Sequence, residues 1–420
     1  MSKLRTGAQF VTHTSDGESG EDEVVVVRLD EHGAELVWPR AIGLFDALAL
    51  NSNESFPDPV VLRSGHGWLT LLEGRSLGSS ASTLGHSEQR IRYYRAVGTG
   101  AKHTDYSTIH GMSSIVDGLA RWARRTPVTQ EITFDGGRVD GLTIRARNLE
   151  AICLGGPLGL ELTTSYTHSP QPEGGVYAIS TALEVRTRSL EAIDWGAHTS
   201  THRMIQDLMC LVYGKPCLAR LDAVMREDDQ EIEPKDERRF WRDAYEPTFG
   251  RSARGTEGIS DKDLPLFYLD DTDPDKLASW LTGQSLWSRP TWIGVTPLFH
   301  TDLPVESRLL QVAVALEALG AAIAKSRSEK PPTTFEGLLE VVFRAIGYAP
   351  TAIVGEASSK EWCTAFNKAY KGVKHADNPM TDPIEAYERS RQGLTLMRCW
   401  LAVELGVTRE VLDANLGRRL

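Results

Sequence analysis

The run Asn367-Lys368-Ala369-Tyr370-Lys371-Gly372-Val373-Lys374-His375 holds the residues best suited to chemistry in this chain. At 100° per residue, Lys371 stands four positions before His375 and Lys368 seven before it, so a helix projects all three from one face. Asn367 lies at the edge of that face. The helix is expected to end within a turn, at Asn378-Pro379. Two ammonium groups can neutralise a phosphate, and an imidazole, which titrates near neutral pH, can move a proton. In RNA the 2′-hydroxyl supplies the nucleophile, so a phosphodiester can be cleaved here without a metal. A solvated basic face gives the same string, because Lys and His favour the last turn of a helix.

The elements that must position this face are clearly punctuated. Helical apolar spacing runs through 305–325. Thr333 with Glu336 reads as a capping box before the next helix, and Ser358 with Glu361 as another before the one that carries His375. Asp382 before Pro383, with Glu385 following, opens a helix to about Leu405. Four substantial helices joined by short loops predict an all-α bundle.

Upstream, the texture is β-rich. Short β-branched runs at 23–29, 34–38, 60–74, 129–135, 143–154, 158–167 and 176–187 are separated by Gly, Pro, Asn and Asp. They predict an antiparallel sandwich or barrel. Helices are expected at 113–125 and 190–213. Residues 14–23 read as frayed, and 226–263 as a long charged surface excursion. The fold class is therefore α+β: a β-rich domain over 1–285 with inserted helices, then a helical bundle over 286–420. Trp280, Trp287 and Trp292 are expected to staple the two together.

At 420 residues and 46.4 kDa, the chain is long enough for two domains. Its 41% hydrophobic and 25% charged residues exclude a disordered or fibrous protein. The net charge of −11 argues against a whole-surface nucleic-acid binder. Residues 300–420 hold 15 basic and 15 acidic side chains, so the excess lies upstream and the bundle can tolerate an anionic ligand. The longest apolar stretch, Leu309 to Ala324, is broken by Gln311 and Glu317, and no membrane span or signal peptide is expected. Five scattered cysteines read as reduced thiols of a cytoplasmic protein.

Rival constellations are weaker. His198 and His202 are spaced for zinc, but the motif glutamate and a third ligand are missing, so capping and surface hydrogen bonding are expected instead. Cys210 and Cys217 read as buried thiols rather than a redox pair. The arginines and tyrosines at 90–96 suit a nucleic-acid surface, and a strand with alternating faces equally well.

As a whole the sequence resembles a known family. The C-terminal helices resemble the HEPN superfamily, whose active members cleave RNA without a metal, using an Arg, four to six residues and a His on one late helix. The counterpart here is Lys368, six residues and His375. Lysine replaces arginine, and Ala369 stands where a polar residue usually follows. Residues 309–323, with Glu317, resemble the first HEPN helix of ApeA-type anti-phage proteins. Residues 110–123 and 183–217 resemble their β-rich N-terminal domain.

The resemblance implies a bacterial abortive-infection effector that cleaves RNA, tRNA included, as a homodimer. A phage-derived trigger would act on the N-terminal domain, with no cofactor or membrane involved. His375 would be the general acid and base, and Lys368 would stabilise charge on the phosphate; Lys371 is added from helical geometry alone. Glu317 would pair with a lysine, orient the histidine or simply edge its helix. Because lysine cannot clamp a phosphate bidentately, the alternative is a degenerate HEPN protein that binds RNA, nucleotide or a partner without cleavage. A metallohydrolase on the N-terminal domain is the third reading.

Overall fold

The computed structural model describes residues 4–14, 24–41, 58–64, 67–82, 86–99, 104–171, 176–229, 241–251 and 256–417. The expected frayed segment at 14–23 falls almost wholly outside them. In chain order the strands are β1 (Gln9–Thr14), β2 (Val24–Asp30), β3 (Gly33–Ala41), β4 (Val60–Ser64), β5 (Gly67–Ser82), β6 (His86–Thr99) and β7 (Thr108–Val116). Then follow β8 (Val128–Asp135), β9 (Arg138–Ala146), β10 (Ile152–Cys153), β11 (Glu161–Gln171), β12 (Val176–Asp194), β13 (Ala219–Met225) and β14 (Trp241–Tyr245). The helices are α1 (Leu119–Trp122), α2 (Trp195–Tyr213), α3 (Pro274–Thr282), α4 (Gln284–Val295) and α5 (Val305–Ser326). They continue with α6 (Phe335–Ile346), α7 (Thr351–Val354), α8 (Ser359–Lys374), α9 (Pro383–Glu404) and α10 (Arg409–Leu416).

The chain divides into two compact units, Met1–Ser114 with Arg186–Ser200 and Arg220–Gly250, and Ile115–Val185 with Thr201–Ala219 and Arg251–Leu420. In the first, alternation in β2 turns Val25, Val27 and Leu29 inward. The strand order β6-β3-β2-β1-β4-β5 closes on itself through a β5–β6 pairing, and every pairing around the ring is antiparallel. Of the two expected forms, sandwich or barrel, this unit contains a closed six-stranded barrel. Its interior is filled by residues such as Leu36, Leu62, Leu71, Ile91 and Tyr93. The 90–96 segment is part of β6. Arg90, Arg92 and Arg95 are ion-paired there with Glu88, Asp30 and Glu246, as the strand reading requires.

Three expectations are corrected here. Residues 113–116 belong to β7, and only one helical turn, α1, follows. Residues 190–194 complete β12 before α2 begins. The charged excursion contains β14, which lies between β13 and β6 in the strand order.

The second unit gathers helices α3 to α10 around one apolar core. Trp280 and Trp287 are buried in it, with Trp287 5.1 Å from Trp400, while Trp292 is 53% exposed. All three tryptophans lie within this unit, but only Trp280 and Trp287 belong to its core, which also holds residues such as Leu154, Leu183 and Leu208. Helix α5 is long and apolar enough to cross a membrane, yet 56% of its most apolar window is buried inside the bundle. A separate hairpin, β8–β9, turns through Gly136 and Gly137, both at positive φ. Its register places Ile132 opposite Leu142, Gln130 opposite Ile144 and Phe134 opposite Val139. Both strands are exposed along nearly their whole length.

Candidate active site

Helix α8 starts where the sequence places it. Ser358 Oγ accepts from the Glu361 amide at 3.2 Å, and the Glu361 carboxylate accepts from the Ser358 amide at 2.8 Å, forming the capping box. Asp382 likewise caps α9, accepting from the amides of Ile384 and Glu385. The box expected at Thr333 does not form: Thr334 is the N-cap of α6, accepting from the amide of Gly337, which has no side chain to close a box. This frees Glu336 from a capping role.

One face of α8 is an aromatic anchor. Trp362 lies 5.4 Å from Phe343 and 4.9 Å from Phe366, and Tyr370 lies 5.0 Å from Phe335. Cys363 is buried on the same helix, and burial pushes its thiol up to about 12, which keeps it from acting as a thiolate nucleophile. The opposite face carries Lys368 and Lys371, both exposed, and His375, exposed as well, follows one residue past the helix with an extended backbone at φ −118° and ψ 122°. His375 is the C-cap residue, and its amide donates to the Lys371 carbonyl at 3.0 Å. Its own carbonyl accepts from the Asn378 amide at 3.1 Å. The imidazole therefore stands on a fixed backbone at the mouth of the helix C-terminus.

Asn367 does not join the three. It is buried, and its side-chain amide donates to Glu336 Oε1 at 2.7 Å, tying α8 to the start of α6. Its Oδ1 is buried without a hydrogen-bond partner among the described residues. Helical spacing alone puts Asn367 at the edge of the face, and it does not announce a partner 31 positions away in the chain. Lys374, one turn beyond Tyr370, holds its ammonium 4.9 Å from the centre of that ring. The Tyr370 side chain holds that ammonium above its ordinary pKa, with a smaller contribution from Glu317. Glu317 itself is exposed on α5 and makes no ion pair among the described residues.

The segment after His375 folds back on α8 over a glycine. Thr381 Oγ1 donates to the Ala369 carbonyl at 2.7 Å, and a Cβ on Gly372 would meet Thr381 Oγ1 at 2.4 Å and the Pro379 carbonyl at 2.7 Å. Gly372→Val is expected to displace this segment and cost about 1–3 kcal/mol by overpacking. A lowered denaturation midpoint together with faster amide exchange over 375–381 checks it.

His198 and His202, expected at a surface, are both fully buried. The His198 ring lies 2.8 Å from Thr187 Oγ1 through Nδ1, and no group of three or more His, Cys, Asp or Glu side chains suited to a metal occurs among the described residues. Burial pulls the His198 pKa down to about 4, so the folded state holds it neutral. An unfolded histidine titrates near 6.5. Stability from this group is therefore full above about pH 6.5 and is lost as pH falls toward 4, amounting to about 2 kcal/mol between pH 7 and 5. Denaturant unfolding at the two pH values should show a loss in the wild type that shrinks in His198→Gln. Cys210 and Cys217 are both buried, and the Cys217 amide donates to Cys210 Sγ at 3.3 Å, in keeping with structural thiols.

Neither a curated protein nor a solved structure matches the chain. Family models do. The model described as ApeA N-terminal domain 1 matches residues 30–280, and the one described as Apea-like HEPN matches residues 310–411, the stretch that contains α6, α8 and α9. The first alone spans more than half of the chain, and with the β-rich and helical regions in the same order the chain belongs to the ApeA family of defence-associated HEPN proteins.

Proposed function

We propose that this chain is a metal-independent endoribonuclease that acts in the cytoplasm and halts phage-infected cells. The observation that supports the reading is the exposed imidazole of His375 at the C-cap of α8, four and seven positions after the exposed Lys371 and Lys368. In the proposed reaction the substrate's 2′-oxygen attacks the neighbouring phosphorus. The O2′–P bond forms, the P–O5′ bond breaks, and the 2′ proton is removed while O5′ gains one. The products are a 2′,3′-cyclic phosphate, or its hydrolysed form, and a 5′-hydroxyl. His375 handles the protons, and Lys368 with Lys371 stabilises the charge that builds on the phosphoryl oxygens.

A homodimer that brings two such helices to one cleft fits this reading. Met380, Ile384 and Tyr387 follow His375 in the loop and first turns of α9 and are 73%, 69% and 50% exposed, which supports an unsatisfied apolar surface next to the site. Residues 1–285 would sense the phage-derived trigger and restrain the bundle at 286–420. The test is incubation of the purified full chain with tRNA and total RNA in the presence of a chelator, with end-group analysis of the fragments. Fragments ending in a 2′,3′-cyclic phosphate support the reading. RNA left intact under conditions that arrest growth overturns it, and favours a HEPN protein that binds without cutting; the lysine at 368 is what supports that second reading.

A further inference from the structure

The β8–β9 hairpin is a two-stranded sheet with no third strand beside it among the described residues. Residues opposite each other across such a sheet share a face. One face carries Thr129, Glu131 and Thr133 opposite Arg145, Thr143 and Gly141, a polar set suited to water. The other carries Ile132 and Phe134 opposite Leu142 and Val139, with Ile144 beside them opposite Gln130, the one polar residue in the middle of this face. Asp140 is the extra residue of a bulge between the pairs of Thr133 and Phe134, and that bulge keeps Val139 on the same face as Leu142.

The apolar face is open. Ile132, Phe134, Val139, Leu142 and Ile144 are each between 43% and 66% exposed. Together they leave on the order of 500 Å2 of contiguous apolar surface, at the upper end of what a monomeric protein shows. A two-stranded sheet standing alone is marginal in water and is stabilised when its apolar face is packed. Two features indicate what packs on it. The face carries no charged side chain, so it has no means of selecting a foreign partner by charge and nothing that repels an identical face. Two stacked copies would also bury on the order of 1,000 Å2, the area at which specific association begins. Asp135 and Asp140 stand on either side of the Gly136-Gly137 turn, which disfavours entry of the tip into a lipid surface.

We propose that this face of the hairpin binds the same face of a second copy of the chain. The two hairpins stack about 10 Å apart, the spacing of packed sheets, around a two-fold axis that makes the contact self-complementary. Edge-to-edge pairing would extend the sheet but leave the five apolar side chains in water, so stacking is the arrangement that covers them. The turn at Gly136-Gly137 stays outside the contact. The hairpin lies in the same compact unit as α8 and α9 and shares no residue with the surface of Met380, Ile384 and Tyr387. A bundle dimer through that surface and the hairpin contact are therefore two different two-fold contacts, and together they build a four-chain assembly. The proposal stands independently of the nuclease reading, because none of its residues belongs to the α8 face.

The test is the mass of the full chain by sedimentation velocity at micromolar concentration. Phe134→Glu combined with Leu142→Glu should halve the wild-type mass, from two copies to one or from four to two, with the far-ultraviolet circular dichroism unchanged. Thr129→Glu combined with Thr143→Glu, on the polar face, should keep the wild-type mass. Amide exchange over 128–146 should slow as the wild-type concentration rises, and should not depend on concentration in the Phe134 and Leu142 variant. Three results would overturn the proposal. The first is equal mass for the wild type and the apolar-face variant. The second is a halved mass in the polar-face variant as well. The third is a wild-type chain that stays a single copy and co-sediments with phosphatidylcholine vesicles, which assigns the face to a lipid surface instead.

Discussion

Replacing His375 by alanine is expected to lower RNA cleavage by about 10²–10⁴-fold, the range for removing a general acid or base. The side chain is exposed, and the hydrogen bonds that hold this residue run through its backbone, so the fold should be unaffected to within about 0.5 kcal/mol. Loss of cleavage with an unchanged unfolding midpoint, together with loss of growth arrest on expression, is the expected pair of results. Lys368→Ala should fall in the same direction. Lys368→Arg should raise cleavage, because a guanidinium offers a paired grip on the phosphate that an ammonium cannot. Undiminished cleavage by His375→Ala would remove this histidine from the mechanism.

The second large effect concerns the support beneath the site. Trp362→Ala is expected to cost about 3–5 kcal/mol, the range for deleting a large buried aromatic side chain. Trp362 is 2% exposed, packs edge-on against Phe343, and donates through Nε1 to Gln392 Oε1 at 2.9 Å. It therefore joins α8 to both α6 and α9, and its loss leaves a cavity and removes one of the two donors to Gln392 Oε1, the other being Arg389 Nη1 at 3.0 Å. Denaturant titration followed by near-ultraviolet circular dichroism should show the midpoint fall, and cleavage should fall with it although the ring lies on the face away from His375. Trp362→Phe should recover much of the packing and none of the hydrogen bond. An unchanged midpoint in the alanine variant would contradict the anchoring role of this residue.

What could be read in the sequence was local. The cap at Ser358 and Glu361, the one at Asp382 and the exposed spacing of Lys368, Lys371 and His375 depend on neighbours three to seven positions away, and the structure has all of them. What could not be read depends on distant contacts. Asn367 looked available for chemistry because nothing nearby in the chain announces Glu336 as its partner. The Thr333–Glu336 spacing pointed to one register for the cap of α6, and the structure places the cap at Thr334, with Glu336 engaged by Asn367 instead. Residues 113–116 mimicked a helix because β7 is buried on both faces over that stretch, which erases the alternation of a strand. β14, with the polar sequence Trp-Arg-Asp-Ala-Tyr, becomes a strand through its pairing with β13 and β6. His198 and His202 looked like surface residues because their polarity hid the burial of α2 around them.

The β8–β9 hairpin has a practical consequence for experiments on this chain. At its tip, a Cβ placed on Gly136 or Gly137 would meet nothing within 4 Å, and neither strand contributes to the apolar core of its unit. A fluorophore or an affinity handle grafted between those two glycines would therefore project into solvent, far along the chain from His375.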